Sequence, residues 1–160
     1  MTHRRRAPLR EDDGTIAELG CACASARQLA RMLTRVYDQQ LRSAGLEAAQ
    51  FALLSTLDSD GPCTQTILGR HHGLDKTTVS RNLNLLKRNG WVARLPTLDR
   101  RERRIGLTAA GRARLQDARP HWQKAQRSVQ QAMTPNQWRA LFTALRTAAK
   151  AADGLRVGST

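Results

Sequence analysis

The sequence predicts a mainly α chain with one small β-hairpin. Three observations carry that expectation. Apolar residues recur in steps of three and four over several long stretches, the spacing of a single buried helix face. Near the middle, two short helical stretches are separated only by a Gly-containing turn. Directly after them, two short alternating runs bracket PTLDRRERR (96–104), the pattern of a hairpin with a charged tip.

The totals fit that outline. A chain of 160 residues forms one domain, or one domain with an added dimerisation element. Forty per cent apolar residues suffice for a core, and with aromatics at 4% that core is mostly Leu, Ala and Val. The 27 basic residues against 13 acidic ones leave +14, a surface suited to a polyanion, because each phosphate contact releases condensed counterions. Three cysteines, Cys21, Cys23 and Cys63, form no disulfide framework and fit a reducing cytoplasm. No apolar run approaches the ~20 residues that span a bilayer, so no membrane partner is expected. The start lacks the apolar core of a signal peptide, and 1–15 reads as a flexible basic arm.

Ile16 to about Ser43 reads as a long helix, with Leu19, Cys23, Ala26, Ala30, Leu33, Tyr37 and Leu41 on one narrow seam. Gly45 ends it. So thin a stripe of small residues suits a partner helix, including one from a second subunit. Glu47 to Leu57 is a second helix with Phe51, Leu54 and Leu57 inward, and DSDGP (58–62) is a loop. Thr64 caps a short helix to about His71, and Gly73 makes the turn. Asp75 caps the next helix, which runs to Asn89 with Gly90 as its stop. Val79, Leu83 and Leu86 face inward there. Trp91–Leu95 alternates large apolar residues with Val92 and Arg94, and Ile105–Leu107 alternates again.

Thr108 caps a fifth helix with the stripe Leu115, Ala118, Trp122, Ala125, Val129 and Ala132. Pro120 predicts a kink within it rather than a stop, because the period continues across it. Thr134-Pro135-Asn136-Gln137 starts the last helix, which carries Trp138, Leu141, Phe142, Leu145 and Ala149. The resulting organisation is a helical region suited to dimerisation (16–45 and 108–152), a helix-turn-helix and hairpin unit (46–107) and a loose tail (153–160).

The charge is concentrated. Residues 70–104 hold ten basic and three acidic side chains, +7, half of the chain's net charge. Short polar and basic side chains on the first turns of a helix reach base edges in the major groove, and Lys76, Thr77, Thr78, Ser80, Arg81 and Asn84 are of that kind. Arg81 can pair bidentately with guanine. At the hairpin tip, a guanidinium suits the narrow, negative minor groove. Arg101 is the first choice for that insertion, with Arg100 and Arg103 on phosphates, and Arg104 is a further candidate wing contact. Asp99 and Glu102 either hold neighbouring arginines by paired hydrogen bonds or simply balance charge.

LDKTTVSRNLNLLKRNGWVARLPTLDRRERRIGLTAAG resembles the core of the MarR family of bacterial winged helix-turn-helix regulators. The resemblance covers roughly residues 16–150, and Asp99-x-Arg101-Glu102-x-Arg104 is similar to the family's D-x-R-[DE]-x-R wing. It implies a homodimer built from helices one, five and six. It also implies a palindromic double-stranded operator, and repression relieved when a ligand or oxidant changes the spacing of the two recognition helices. It places Arg101 in the minor groove and Asp99 as the acid that orients it. No cofactor or metal is implied.

Control of the switch is read from the first helix. The stretch from Cys23 to Gln50 resembles the first helix of the family's organic-hydroperoxide sensors. Tyr37 matches one of the tyrosines beside their reactive thiol, and Arg27 stands where the other would be. Arg27, one turn from Cys23, can lower a thiol pKa. The alternative is that Cys23 is a small buried residue at a dimer seam. The same resemblance implies a pocket for a small aromatic effector, with Cys23, Arg27, Tyr37 and Phe51 as candidate lining residues.

Two other classes are weighed. The sequence lacks a phosphate loop, G-x-S-x-G, H-E-x-x-H and a convincing carboxylate pair, which argues against an enzyme. A non-specific architectural DNA-binding protein would share the charge but has no need of a capped recognition helix.

Overall fold

A computed structural model describes residues 21–96 and 103–157. Residues 21–35 and the segment from Val36 onward form two compact units. The first is helical throughout from Ala22 and begins the helix α1, Ala22–Leu41. The expected start at Ile16 lies outside the described residues. Α1 passes into a 3-10 turn, Arg42–Ala44, and Gly45 (φ 64°) closes it in the left-handed region, as its lack of a Cβ permits.

The second unit is built on α2, Ala48–Ser59. Its start is held twice: the Ala48 N–H donates to Asp38 Oδ1 at 2.7 Å, and the Glu47 N–H donates to Gln50 Oε1 at 3.2 Å. The helix runs two residues past the expected Leu57. Residues Cys63–Thr64 then form a strand, β1, where only a loop and a cap are expected. Two residues offer no alternation to detect, so only their pairing reveals them. Α3 spans Gln65–His72 with Thr64 Oγ1 accepting from the Ile67 N–H, and Gly73 turns the chain. Α4 spans Lys76–Arg88 behind the Asp75 cap.

Β2 (Val92–Arg94) and β3 (Arg104–Leu107) follow, in the sheet order β1-β3-β2, all antiparallel. The hairpin is therefore two strands of a three-stranded sheet. In register, Val92 faces Leu107 and Arg94 faces Ile105. Val92 and Arg94 share one face of β2, as side chains two apart on a strand do, but that face is not outward throughout: Val92 is buried and only Arg94, toward the hairpin tip, is exposed.

Α5, Ala109–Gln131, starts at the predicted cap, with Thr108 Oγ1 accepting from the Gly111 N–H at 3.0 Å, and continues through Pro120 as one element. Leu115, Ala118 and Ala125 are buried along the predicted stripe, which ends in the exposed Ala132. Α6, Pro135–Val157, opens with the reciprocal Thr134–Gln137 cap. It runs past residue 152, so 153–157 is helix, not loose tail. Gly154 alone costs a helix only about 1 kcal/mol.

Leu41, Leu53, Leu54, Leu68, Val79, Leu83, Leu86 and Leu115 are the large fully buried side chains. This is the Leu-rich core that the composition implies. It joins α2 to α3, α4 and α5, and so seats α4 with one face buried and the other in solvent.

Candidate nucleic-acid interface

The cap decides where α4 begins. Asp75 Oδ1 accepts from the Thr78 N–H at 2.9 Å and Oδ2 from the Thr78 hydroxyl at 2.6 Å. These two bonds hold the Asp75 carboxyl below its ordinary pKa. They also engage the Thr78 hydroxyl as a donor inside the cap, and Thr78 is half-buried where its neighbour Thr77 is exposed. On the buried side, Asn82 is 4% exposed and donates from Nδ2 to the Thr78 carbonyl at 3.0 Å. Nothing in the sequence marked Asn82, since a polar residue in a polar helix carries no inward signal.

The outer side matches the expectation closely. Lys76, Thr77, Arg81 and Asn84 are exposed and Ser80 is half-buried. Thr77, Arg81, Asn84 and Arg88 fall in steps of four and three, one stripe of the helix. Gln65, at the start of α3, donates from Nε2 to the Lys76 carbonyl at 3.3 Å and ties the two helix starts together.

Beside α4 lies an open groove of about 830 Å³, with Val79 and Ile105 among its lining residues. Arg70, Lys76, Lys87, Arg94 and Arg103 also line it, with no acidic side chain. Five cations around one concavity favour a ligand with several negative charges along its length. Arg70, Lys87 and Arg94 were visible in the sequence only as part of the charge count. Arg104 begins β3 and its Coulomb field opposes the upward pull of burial and of Asp60 on the Cys63 thiol. The wing tip, with Asp99, Arg100 and Arg101, lies outside the described residues.

The candidate effector residues fare differently. Phe51 is 5% exposed and stacks on Trp122, centroids 5.7 Å apart and planes 12° from parallel. It is part of the hydrophobic core. The Tyr37 hydroxyl donates to Gln126 Oε1, and burial raises its pKa. Cys23 and Arg27 are exposed on the 21–35 unit, and Cys21, Cys23 and Cys63 are free thiols. Cys63 is buried, as a small apolar residue would be. Among the described residues no cluster of His, Cys, Asp or Glu is placed to hold a metal, and no helix is long and apolar enough to cross a membrane.

Known proteins share this arrangement. A model of the MarR family matches residues 44–104, from the end of α1's 3-10 turn to the start of β3. The crystal structure of the M. tuberculosis transcriptional regulator MosR is 36% identical, with 86% of this chain and 99% of that one aligned at a TM-score of 0.70. The same regulator in complex with DNA is 37% identical over 82% of this chain and 98% of that one, TM-score 0.69. An uncharacterised HTH-type transcriptional regulator of Bacillus subtilis (strain 168), YwoH, is 35% identical over 81 residues, 51% of this chain and 59% of that protein. With MosR matched over nearly its whole length, the chain belongs to the MarR family of transcriptional regulators.

Proposed function

We propose that the protein is a homodimeric repressor that reads a palindromic operator in double-stranded DNA. The observation that carries this reading is the exposed stripe Thr77, Arg81, Asn84 and Arg88 on a helix whose other face is locked in the core. That stripe enters the major groove, and Arg81 has the reach and the planar fork to read a guanine. The cation-lined groove, with Arg94 and Arg103, meets the phosphates alongside. The similar MosR is seen with DNA, which supports the same partner here. The family resemblance assigns Arg101 to the minor groove and Asp99 to its orientation.

Dimerisation is supported by α6, where Phe142 and Leu145 are 39% and 47% exposed on an otherwise amphipathic helix. Two copies place the recognition helices about one DNA turn, ~34 Å, apart. Release by a small aromatic ligand completes the reading. A second reading, thiol-based release, draws on the exposure of Cys23. Cys23→Ser protein that binds DNA yet still releases it under peroxide removes that second reading.

The test is a binding titration with the chromosomal DNA flanking the gene, then with its best palindrome, at ~150 mM salt. Specific regulators favour their site by roughly 10³-fold or more over random sequence. Equal affinity for both identifies a non-specific architectural protein instead. Adding phenolic acids or peroxide to the preformed complex then separates the two release mechanisms.

A further inference from the structure

Trp91 stands where α4 gives way to β2, and every polar group of its backbone is taken. Its N–H donates to the Leu86 carbonyl at 2.9 Å, closing the last turn of α4. Its carbonyl accepts from the Thr108 N–H at 3.1 Å, at the cap of α5. Thr108 Oγ1 donates to the Gly90 carbonyl at 2.7 Å, one residue earlier. Gly111 lies against the same Trp91 carbonyl, so close that a Cβ would sit 2.0 Å from the oxygen. The end of α4 and the start of α5 are thus one joint.

Arg114 closes the joint from the side. Its guanidinium carbon is 5.1 Å from the centroid of the Trp91 ring, and its Nη1 donates to the Ala44 carbonyl at 3.2 Å. One planar cation therefore ties the indole to the 3-10 turn that follows α1. Arg114 is not among the residues that line the basic groove. Its charge is used inside the protein.

We infer that Arg114 is a positioning residue for DNA recognition: it immobilises Trp91 and so fixes the direction in which α4 points. This rests on the reading of α4 as the DNA-reading helix. A helix clamped at its C-terminal end acts as a lever. At 1.5 Å per residue, the 13 residues of α4 span roughly 20 Å. A tilt of about 5° at Trp91 moves the Lys76 end by roughly 1.7 Å, enough to break hydrogen bonds that need donor and acceptor within about 3.2 Å. Contacts to phosphates from flexible lysines and arginines tolerate the same tilt, because they are less directional than paired bonds to a base. Loss of the clamp therefore lowers specific binding and spares non-specific binding.

The experiment compares wild type with Arg114→Met in the full-length protein. Met keeps much of the stem and removes the planar cation. Operator and random duplexes are titrated by fluorescence anisotropy at several salt concentrations, with Tm measured alongside. The expected result is an operator Kd weakened about tenfold, the size of one lost bidentate base contact. Random-DNA Kd and the salt slope of both should be unchanged. A lower Tm with an unchanged operator-to-random ratio overturns the inference, since the role is then only structural. A salt slope smaller by about 1, with random binding weakened too, also overturns it, because Arg114 then touches phosphate directly. If Arg114→Met does not fold, Arg114→Lys, which keeps the cation but not the fork, is read the same way. Wild-type protein that fails to discriminate sinks the operator reading itself. Wild-type discrimination that survives the substitution sinks only the role of Arg114.

Discussion

The indole of Trp122 on α5 lies flat against the ring of Phe51 on α2, centroids 5.7 Å apart. This stack joins α2, at the centre of the core, to the long helix α5. Phe51→Ala should cost about 3–5 kcal/mol, as large-to-small changes in cores do. Phe51→Leu, which keeps most of the volume, should cost clearly less. Urea unfolding measures both, and equal small losses would show that the stack carries little of the stability.

Gly111 and Gly154 are both helical glycines, yet replacement by alanine should have opposite effects. At Gly111 the new Cβ meets the Trp91 carbonyl oxygen at 2.0 Å and its carbon at 2.8 Å, both backbone atoms. They cannot withdraw without losing the Thr108–Trp91 bond, so the cost should exceed the roughly 1–3 kcal/mol typical of overpacking. At Gly154 nothing lies within 4 Å, and alanine should stabilise the helix by about 0.5–1 kcal/mol. Thermal denaturation of the two variants reads the difference in sign. A stable Gly111→Ala protein would contradict the close approach.

How far the sequence reveals these features depends on whether they are local. The starts of α3, α4, α5 and α6 are legible because Thr64, Asp75, Thr108 and Thr134 each accept a hydrogen bond from a residue three positions on. The outward stripe of α4 is legible for the same reason, since 3.6-residue periodicity sorts its faces. The strand at Cys63–Thr64 is not, because its only mark is a partner strand far along the chain. Phe51 reads correctly as inward-facing, but periodicity does not say what lies opposite, and Trp122 fills that place. The role of Thr78 also escapes: its type suits a base contact, and only the geometry of Asp75 shows the hydroxyl engaged.

Arg81 and Lys87 both lie on α4 and should fail differently. Arg81→Ala should cost about 1–3 kcal/mol on the operator and relax preference at one base position. Lys87 lines the basic groove, so Lys87→Ala should weaken all sequences alike and reduce the salt slope by about 1. Titrations of operator, single-base variants and random duplex at three salt concentrations separate the two patterns. Identical behaviour would count against α4 as the reading helix.

His72 makes stability depend on pH. Its Nε2 lies 2.9 Å from the Thr56 hydroxyl, joining α3 to α2. Burial, then the neighbouring His71, hold its pKa below the ordinary imidazole value, with Asp60 opposing. The folded protein therefore binds fewer protons than the unfolded chain between the folded value and about 6.5. The contribution is complete above about pH 6.5 and is lost as pH falls through the folded value. His72→Gln keeps a hydrogen-bonding group and does not titrate. The gap between wild type and variant in urea midpoint should narrow or reverse from pH 8 to pH 5. A gap that stays constant would mean that His72 does not couple to folding.

The apolar face of α6 predicts the assembly. Trp138 and Phe142 meet edge to face at 4.9 Å, and Leu145 continues the same side one turn on. Phe142 and Leu145 are more than a third exposed, so a single chain leaves them in water. Covering such a face recovers about 25 cal/mol for each Å² of apolar surface removed from water. A charge placed there opposes that gain without touching the core of the DNA-binding unit. Phe142→Glu with Leu145→Glu should convert a dimer into a monomer in sedimentation or light scattering. The helical content of α2 to α4 should remain, and operator affinity should fall steeply, because a lone recognition helix reads only one half-site. A double variant that stays dimeric would move the interface elsewhere. One that is monomeric yet binds the operator as tightly as wild type would remove the need for two copies in DNA recognition.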